Sequence, residues 1–213
     1  MWQNAILTKV EIILIKLPHD FGINSYLHWF DDKTQKKICS YYHHNDQLIA
    51  FTSQLLQQFY LAKLLKINKD QLSMGYTKYY KPFIATPKAM SRELTFNIAH
   101  SQKYVVMAVY NGDDYQIGVD IEQIDYNLET AEMSPIVFSP IEQQLIGKSK
   151  DNFFKLWTKK EALIKALGTG FATDFYQDTN LNLEDREIND NFVIITQQLE
   201  NYFLSICLHK VVT

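Results

Sequence analysis

The chain has 213 residues, 46% hydrophobic and 21% charged, a balance that fills the core of one large domain or two small ones. A net charge of −3 with only two arginines, Arg92 and Arg186, argues against a nucleic-acid partner, which clustered lysines and arginines would meet. Cys39 and Cys207 stand in no metal-ligand spacing, no apolar run is long enough for a membrane, and the N-terminus lacks a secretory pattern, so the expectation is a cytoplasmic protein with two free thiols.

Lys9 to Lys16 reads as the first strand, short and interrupted by Glu11. Pro18 and Asp20 to Asn24 form a loop, and a helical stretch of mixed charge covers Asp31 to Tyr42. Asp46 to Lys66 carries Leu48, Phe51, Leu55, Phe59 and Ala62 at helical spacing, with Asp46 as N-cap and Lys66 in the last turn. Pro82 and Pro87 mark a loop around a short strand-like piece, and Thr95 to Ile98 is a strand end. The apolar run Tyr104 to Tyr110 closes on Asn111-Gly112-Asp113, a turn signal that makes Tyr115 to Ile121 the return strand.

Asp125 to Ser134 is polar, and Ser139-Pro140-Ile141-Glu142 opens a short helix. A longer helix starts at Phe153 and stops at Gly168, with Phe153, Leu156, Leu163, Ile164 and Leu167 on one arc at about 100° per residue. Asn180 to Asn191 is turn-rich, and Phe192 to Gln197 with Tyr202 to Leu208 finish as a hairpin. This order predicts an α+β protein of two halves, 1–112 and 113–213, with no sequence repeat between them and room for a site in their cleft.

Four stretches carry chemistry. In Gly118-Val119-Asp120-Ile121-Glu122, strand alternation sets Asp120 and Glu122 side by side and Val119 and Ile121 toward the core. Two adjacent carboxylates repel, and a divalent cation relieves that cost; taken alone, the same triplet also fits a solvated strand face. Phe96-Asn97-Ile98-Ala99-His100-Ser101 puts His100 at a strand-to-loop junction, where it fits a phosphate contact or an ordinary turn equally. Lys81, before Pro82, is kept out of helical geometry and reaches across a loop, or is simply a solvated lysine.

The last stretch is Trp157-Thr158-Lys159-Lys160-Glu161-Ala162 with Lys165 and Gly168-Thr169-Gly170. Glu161 and Lys165 form an i, i+4 pair, and Lys160 projects into the apolar arc with its head expected in water. A carboxylate between two ammoniums suits a metal–pyrophosphate complex.

Taken together with Tyr80-Lys81-Pro82, these ordered motifs resemble those of the 4′-phosphopantetheinyl transferases, in the surfactin-synthetase-activating, Sfp-like branch. The resemblance runs from about Tyr41 to Gly170. It implies a monomeric pseudo-dimer of two similar α+β halves, each a long helix on a small, mainly antiparallel sheet. The active site would lie in the cleft, with the metal site carried by the C-terminal half. It implies that Asp120, Glu122 and Glu161 hold Mg2+, with Mn2+ as the alternative. Lys81, His100 and Lys165 would meet phosphates of coenzyme A, beside Ala99 and Ser101, with Lys160 adding positive potential and Lys37 at the ribose phosphate. The implied reaction moves 4′-phosphopantetheine to a serine of an apo acyl or peptidyl carrier protein, with Glu161 as base, directly or through a metal-bound water, Lys165 stabilising charge on the departing phosphate, and Asp120 in the catalytic set as a metal ligand. The apolar residues Met133, Ile136, Val137 and Phe138 would lie near the carrier, and core packing explains them equally well.

Three departures stand out. Ala99 replaces a serine the family often has, Tyr80 replaces a glycine before Lys-Pro, and no arginine stands near Gln57-Gln58. They leave open a non-catalytic relative that binds coenzyme A or a carrier, and a metal-dependent phosphodiesterase is the other rival.

Overall fold

A computed structural model describes residues 7–88, 93–170 and 179–211, so Arg92 lies outside the described residues. The first half opens with β1 (Val10–Lys16) and a 3₁₀ segment, Ile23–Trp29. Helices α1 (Asp32–Cys39) and α2 (His44–Leu55) follow. A π-helical turn, Leu56–Tyr60, leads into α3 (Leu61–Leu64). Strands β2 (Ser73–Tyr76) and β3 (Pro82–Thr86) make a two-stranded ribbon. Then β4 (Leu94–Ser101) and β5 (Tyr104–Asn111) join β1 in an antiparallel sheet of order β1-β5-β4.

The second half contains β6 (Tyr115–Gln123), short helices α4 (Ser134–Val137) and α5 (Pro140–Ile146), and the long α6 (Lys150–Leu167). Strands β7 (Arg186–Ile188), β8 (Phe192–Leu199) and β9 (Tyr202–Lys210) complete an antiparallel sheet of order β6-β9-β8-β7. The fold is therefore α+β, two halves each setting a long helix beside a small antiparallel sheet. Among the described residues no helix is long and apolar enough to cross a membrane. Cys39 is exposed, Cys207 is buried, and both are free thiols.

Strand β5 explains how one chain makes two joined cores. Its side chains alternate between faces. Val105, Met107 and Val109 enter the helical core of the first half, while Tyr104, Val106, Ala108 and Tyr110 enter a second core. That second core also takes Ile117, Val119 and Ile121 from β6 and Leu204 and Leu208 from β9. A strand buried on both faces appears in sequence as an unbroken apolar run, which is what 104–110 shows.

The strand after Asn111-Gly112-Asp113 does not return along β5. It pairs with β9 in the other sheet. The turn residues reverse the chain, but the outer N–H groups of β6 find a different partner. Ile117, Val119 and Gln123 donate to Thr95 Oγ1 at 3.3 Å, Asn97 Oδ1 at 2.9 Å and Ser101 Oγ at 3.1 Å. Two sheet edges are thus closed against each other by side chains of β4 rather than by a backbone ladder.

Two helix details also differ from expectation. Asp46 is not the N-cap: α2 begins at His44 after His43, and Asp46 sits in the first turn, where it favours the helix dipole. The single helix expected to Lys66 is broken into three pieces by the π turn, and Lys66 itself leaves helical geometry at φ 56°. Strands β2 and β7 were not legible, being four and three residues long.

Two substitutions test this packing. At Gly118 an added Cβ would lie 2.0 Å from Ala162 O and 2.3 Å from Ala166 N, so Gly118→Ala is expected to cost about 3 kcal/mol or more in urea unfolding. Tyr80 has φ 62° in the turn before β3 and is 85% exposed. Replacing it with glycine relieves left-handed strain at little loss of packing, so Tyr80→Gly is expected to gain roughly 0.5–1 kcal/mol in the same assay.

Candidate active site

Pleating of β6 turns Gly118, Asp120 and Glu122 away from the shared core and toward α6. The missing side chain at Gly118 lets α6 lie with the Ala162 and Ala166 backbone directly on the strand. Trp157, Glu161 and Lys165 then recur at i, i+4 and i+8 along the helix. Gly168 ends the helix at φ 69°, the left-handed cap that glycine favours.

Asp120 is 3% exposed, and Lys165 Nζ lies 2.5 Å from its Oδ1. Its Oδ2 is the only fully buried side-chain oxygen or nitrogen without a partner among the described residues. Burial pushes the Asp120 carboxyl up against the opposing pull of Lys165. Burial also lifts Glu122 to about 7, helped by the Asp120 charge and opposed by the Ser101 hydroxyl and Trp157. Ser101 Oγ donates to Glu122 Oε2 at 3.1 Å while accepting from Gln123 N. Burial raises Glu161 to about 7, with Lys165 pulling down and Asp120 and Glu122 pushing up. At Lys165 burial works against the charge, and Asp120, Glu161 and Glu122 together outweigh it, so its pKa is raised.

This donor set fits a hard divalent cation in its chemistry: three carboxylates, mutual repulsion and one buried oxygen left without a partner. Among the described residues, however, no three His, Cys, Asp or Glu side chains are drawn together as a ready coordination shell. Lys165 stands at Asp120 instead.

The other expected residues fall into two groups. His100 lies in β4 opposite Val105, one residue before the strand ends, at the expected junction. It lines a pocket of about 180 Å³ with Lys37 and Tyr41, from the α1 end, and Asp46, Ser53 and Gln57, from α2 and the π turn. Burial and the neighbouring Lys165 hold His100 below its ordinary pKa of 6.5, against Asp120 and Asp46. Lys37 and His100, both expected at phosphates of coenzyme A, thus share one recess. A second recess, of about 460 Å³, opens beside Glu122 and is lined by Ser101, Asp125, Tyr126 and Phe154.

The second group is engaged inside the protein. Lys81 donates to Ile117 O and Ala166 O, each at 3.0 Å, tying the β3 turn to β6 and α6. Lys160 does not carry its head into water. It pairs with buried Glu142 at 2.8 Å, over the Phe138 ring. Ala99 packs its methyl into the shared core. Of the apolar residues expected near a carrier, Phe138 is buried and Ile136 is 73% exposed.

Lys159 was not singled out in the sequence, yet it is fully buried. It donates to Asn182 O at 2.6 Å and Glu184 O at 3.2 Å, and pairs with Glu187 at 2.6 Å. Nothing local distinguishes it from Lys160, because its partners lie beyond the helix. Ser101 as a link between β4 and Glu122 was missed for the same reason.

Residues 18–111 match the family model described as 4′-phosphopantetheinyl transferase, N-terminal. Residues 116–210 match that of the 4′-phosphopantetheinyl transferase superfamily. The chain is similar to 4′-phosphopantetheinyl transferase gsp of Aneurinibacillus migulanus, with 27% identity over 180 residues, 80% of this chain and 72% of that one. A 4′-phosphopantetheinyl transferase of Bacillus subtilis is 28% identical over 185 residues, covering 81% and 79% of the two chains. The 4′-phosphopantetheinyl transferase Sfp of Bacillus subtilis strain 168 is 26% identical over 197 residues, covering 85% and 83%.

Lys81 supplies a pH test of the joint beneath the site. Burial lowers its pKa to about 8 from the ordinary 10.5, with the nearby Cys207 opposing. Between those values the unfolded chain holds the extra proton, so this group makes stability rise with pH across that window. Lys81→Met is expected to remove that rise, read as the difference between variant and wild-type urea midpoints at pH 7.5 and pH 10.

Proposed function

The chain belongs to the 4′-phosphopantetheinyl transferase superfamily, in its Sfp-like branch, and is an enzyme of that class; from that membership we propose its substrates, its metal and the roles of its residues. The reaction transfers 4′-phosphopantetheine from coenzyme A to a serine of an apo acyl or peptidyl carrier protein and releases 3′,5′-ADP. The protein works as a cytoplasmic monomer, with halves 1–112 and 113–213. The observation that carries this reading is Asp120, a buried carboxylate with one oxygen on Lys165 and the other without a partner, flanked by Glu122 and Glu161.

Asp120, Glu122 and Glu161 are the residues that hold Mg2+, or Mn2+ in its place; when bound, the ion supplies positive charge for the pyrophosphate. Lys37 and His100 line the recess that receives the phosphorylated nucleotide end of coenzyme A. His100 offers that end an N–H donor. Ser101 orients Glu122 through its hydroxyl.

The carrier serine oxygen bonds to the β-phosphorus as the bond from that phosphorus to the departing 3′,5′-ADP oxygen breaks. Glu161 takes the serine proton as general base. Lys165 places its ammonium against the negative charge that grows on the leaving phosphate. Lys81 and Lys160 act as positioning residues, holding α6 to β6 and to α5 while adding positive potential. Most of the rate gain then comes from positioning and charge neutralisation.

The test is intact-mass analysis of an apo acyl carrier protein incubated with this protein, coenzyme A and Mg2+. The carrier is expected to gain one phosphopantetheine mass. EDTA is expected to abolish the gain, and Asp120→Ala to slow it roughly 100-fold or more. Transfer that survives both treatments would remove the metal and Asp120 from the mechanism. Coenzyme A binding without transfer to any carrier type would identify a non-catalytic relative.

A further inference from the structure

Of the lysines around β6 and α6, three of the most buried have fixed partners within the protein. Lys159 is held by Glu187 and two carbonyls, Lys160 by Glu142, and Lys81 by Ile117 O and Ala166 O. Lys165 is different, because its partner Asp120 belongs to a group of three carboxylates. If all are ionised, three negative charges face one positive charge, an imbalance that one ammonium only partly answers.

The two members of the pair are not equally free to move. The Asp120 side chain is 4% exposed and fixed on β6, whereas that of Lys165 is 30% exposed, on the last turn of α6. Separation of the pair therefore moves the lysine and leaves the carboxylate in place. Asp120 Oδ2 has no partner while Oδ1 has Lys165, so the carboxylate is only half satisfied in this arrangement.

We infer that Lys165 is an internal counter-ion that stands in for the divalent cation in the metal-free protein, and that the cation engages Asp120 by displacing it. The inference rests on Asp120, Glu122 and Glu161 being the cation-holding set. Displacement has two consequences. The apparent affinity for the ion is lowered by the ion pair that must be broken. The released ammonium becomes available to an anionic phosphate, so ion and phosphate ligand favour each other's binding, and to the same degree in both directions.

The test uses the full chain stripped of metal, with Mn2+ alone as the probe and no coenzyme A. Free Mn2+ is read by electron paramagnetic resonance and stability by thermal melting. Lys165→Met is expected to bind Mn2+ at least 10-fold more tightly than wild type. Metal-free, it should melt several degrees below wild type, and the gap should close at saturating Mn2+. Lys165→Arg, which keeps the charge, should bind as weakly as wild type. If Lys165→Met does not fold, Lys165→Gln serves, since it donates to Asp120 without a charge, and it too should bind at least 5-fold more tightly.

Equal or weaker Mn2+ binding by these neutral variants, with binding still abolished by Asp120→Ala, overturns the counter-ion role and leaves the metal site intact. No Mn2+ binding by any protein, together with EDTA-resistant transfer to a carrier, overturns the metal site and this inference with it.

Discussion

At Gly118 the backbone of β6 passes so close to α6 that one added carbon would meet the Ala162 carbonyl at 2.0 Å. That approach puts the last turns of the helix within reach of a strand's polar face. It brings Lys165 onto Asp120, and it lets Lys81 bridge a carbonyl of the strand and one of the helix. A helix standing off at the distance ordinary side chains impose would leave Asp120 and Glu122 facing solvent, as an isolated Asp-x-Glu triplet suggests. Burial, which lifts Glu122 and Glu161 to about 7, follows from the same contact.

The second requirement is that the two sheets meet without merging. β4 and β6 are both edges, and each exposed edge group needs a partner. Thr95, Asn97 and Ser101 supply acceptors from one face of β4, so β6 is held by side chains spaced two or more residues apart. Each such bond contributes about 1 kcal/mol. The arrangement also has a functional result, since Ser101 reaches both Gln123 N and Glu122 Oε2. The joint between the halves and the orientation of a site carboxylate are one structure.

How much of this was legible follows from where each partner lies. The alternation in 118–122 and the run 104–110 gave correct faces because pleating is a local rule. The helix opening at Ser139-Pro140 and the stop at Gly168 were equally local. The turn at Asn111-Gly112-Asp113 misled because its residues encode reversal of direction and not the identity of the next neighbour, which Asn97 and its companions decide from β4. The π turn at Leu56–Tyr60 had no signal, since its apolar spacing is close to that of an unbroken helix. The recess shared by Lys37 and His100 joins positions far apart in the chain, so no spacing pattern announces it.

The lysines of α6 show the same limit at the level of chemistry. Lys159, Lys160 and Lys165 are one residue type on one helix, and rotation of about 100° per residue sends them to different surroundings. Lys159 meets Glu187 and the carbonyls after residue 181; Lys160 meets Glu142 on α5; Lys165 meets Asp120 on β6. Burying an ammonium is costly unless it is paired and hydrogen-bonded, so each location required its own acceptors elsewhere in the fold. Glu142 serves Lys160, the N-terminus of α5 and Leu181 N at once, so both of its oxygens are engaged. Asp120 is the reverse case, a buried carboxylate with an oxygen still unsatisfied and a partner whose side chain is 30% exposed. A charged helix face inside a protein thus separates into lysines whose acceptors are fully committed and one whose carboxylate partner keeps an unpaired oxygen.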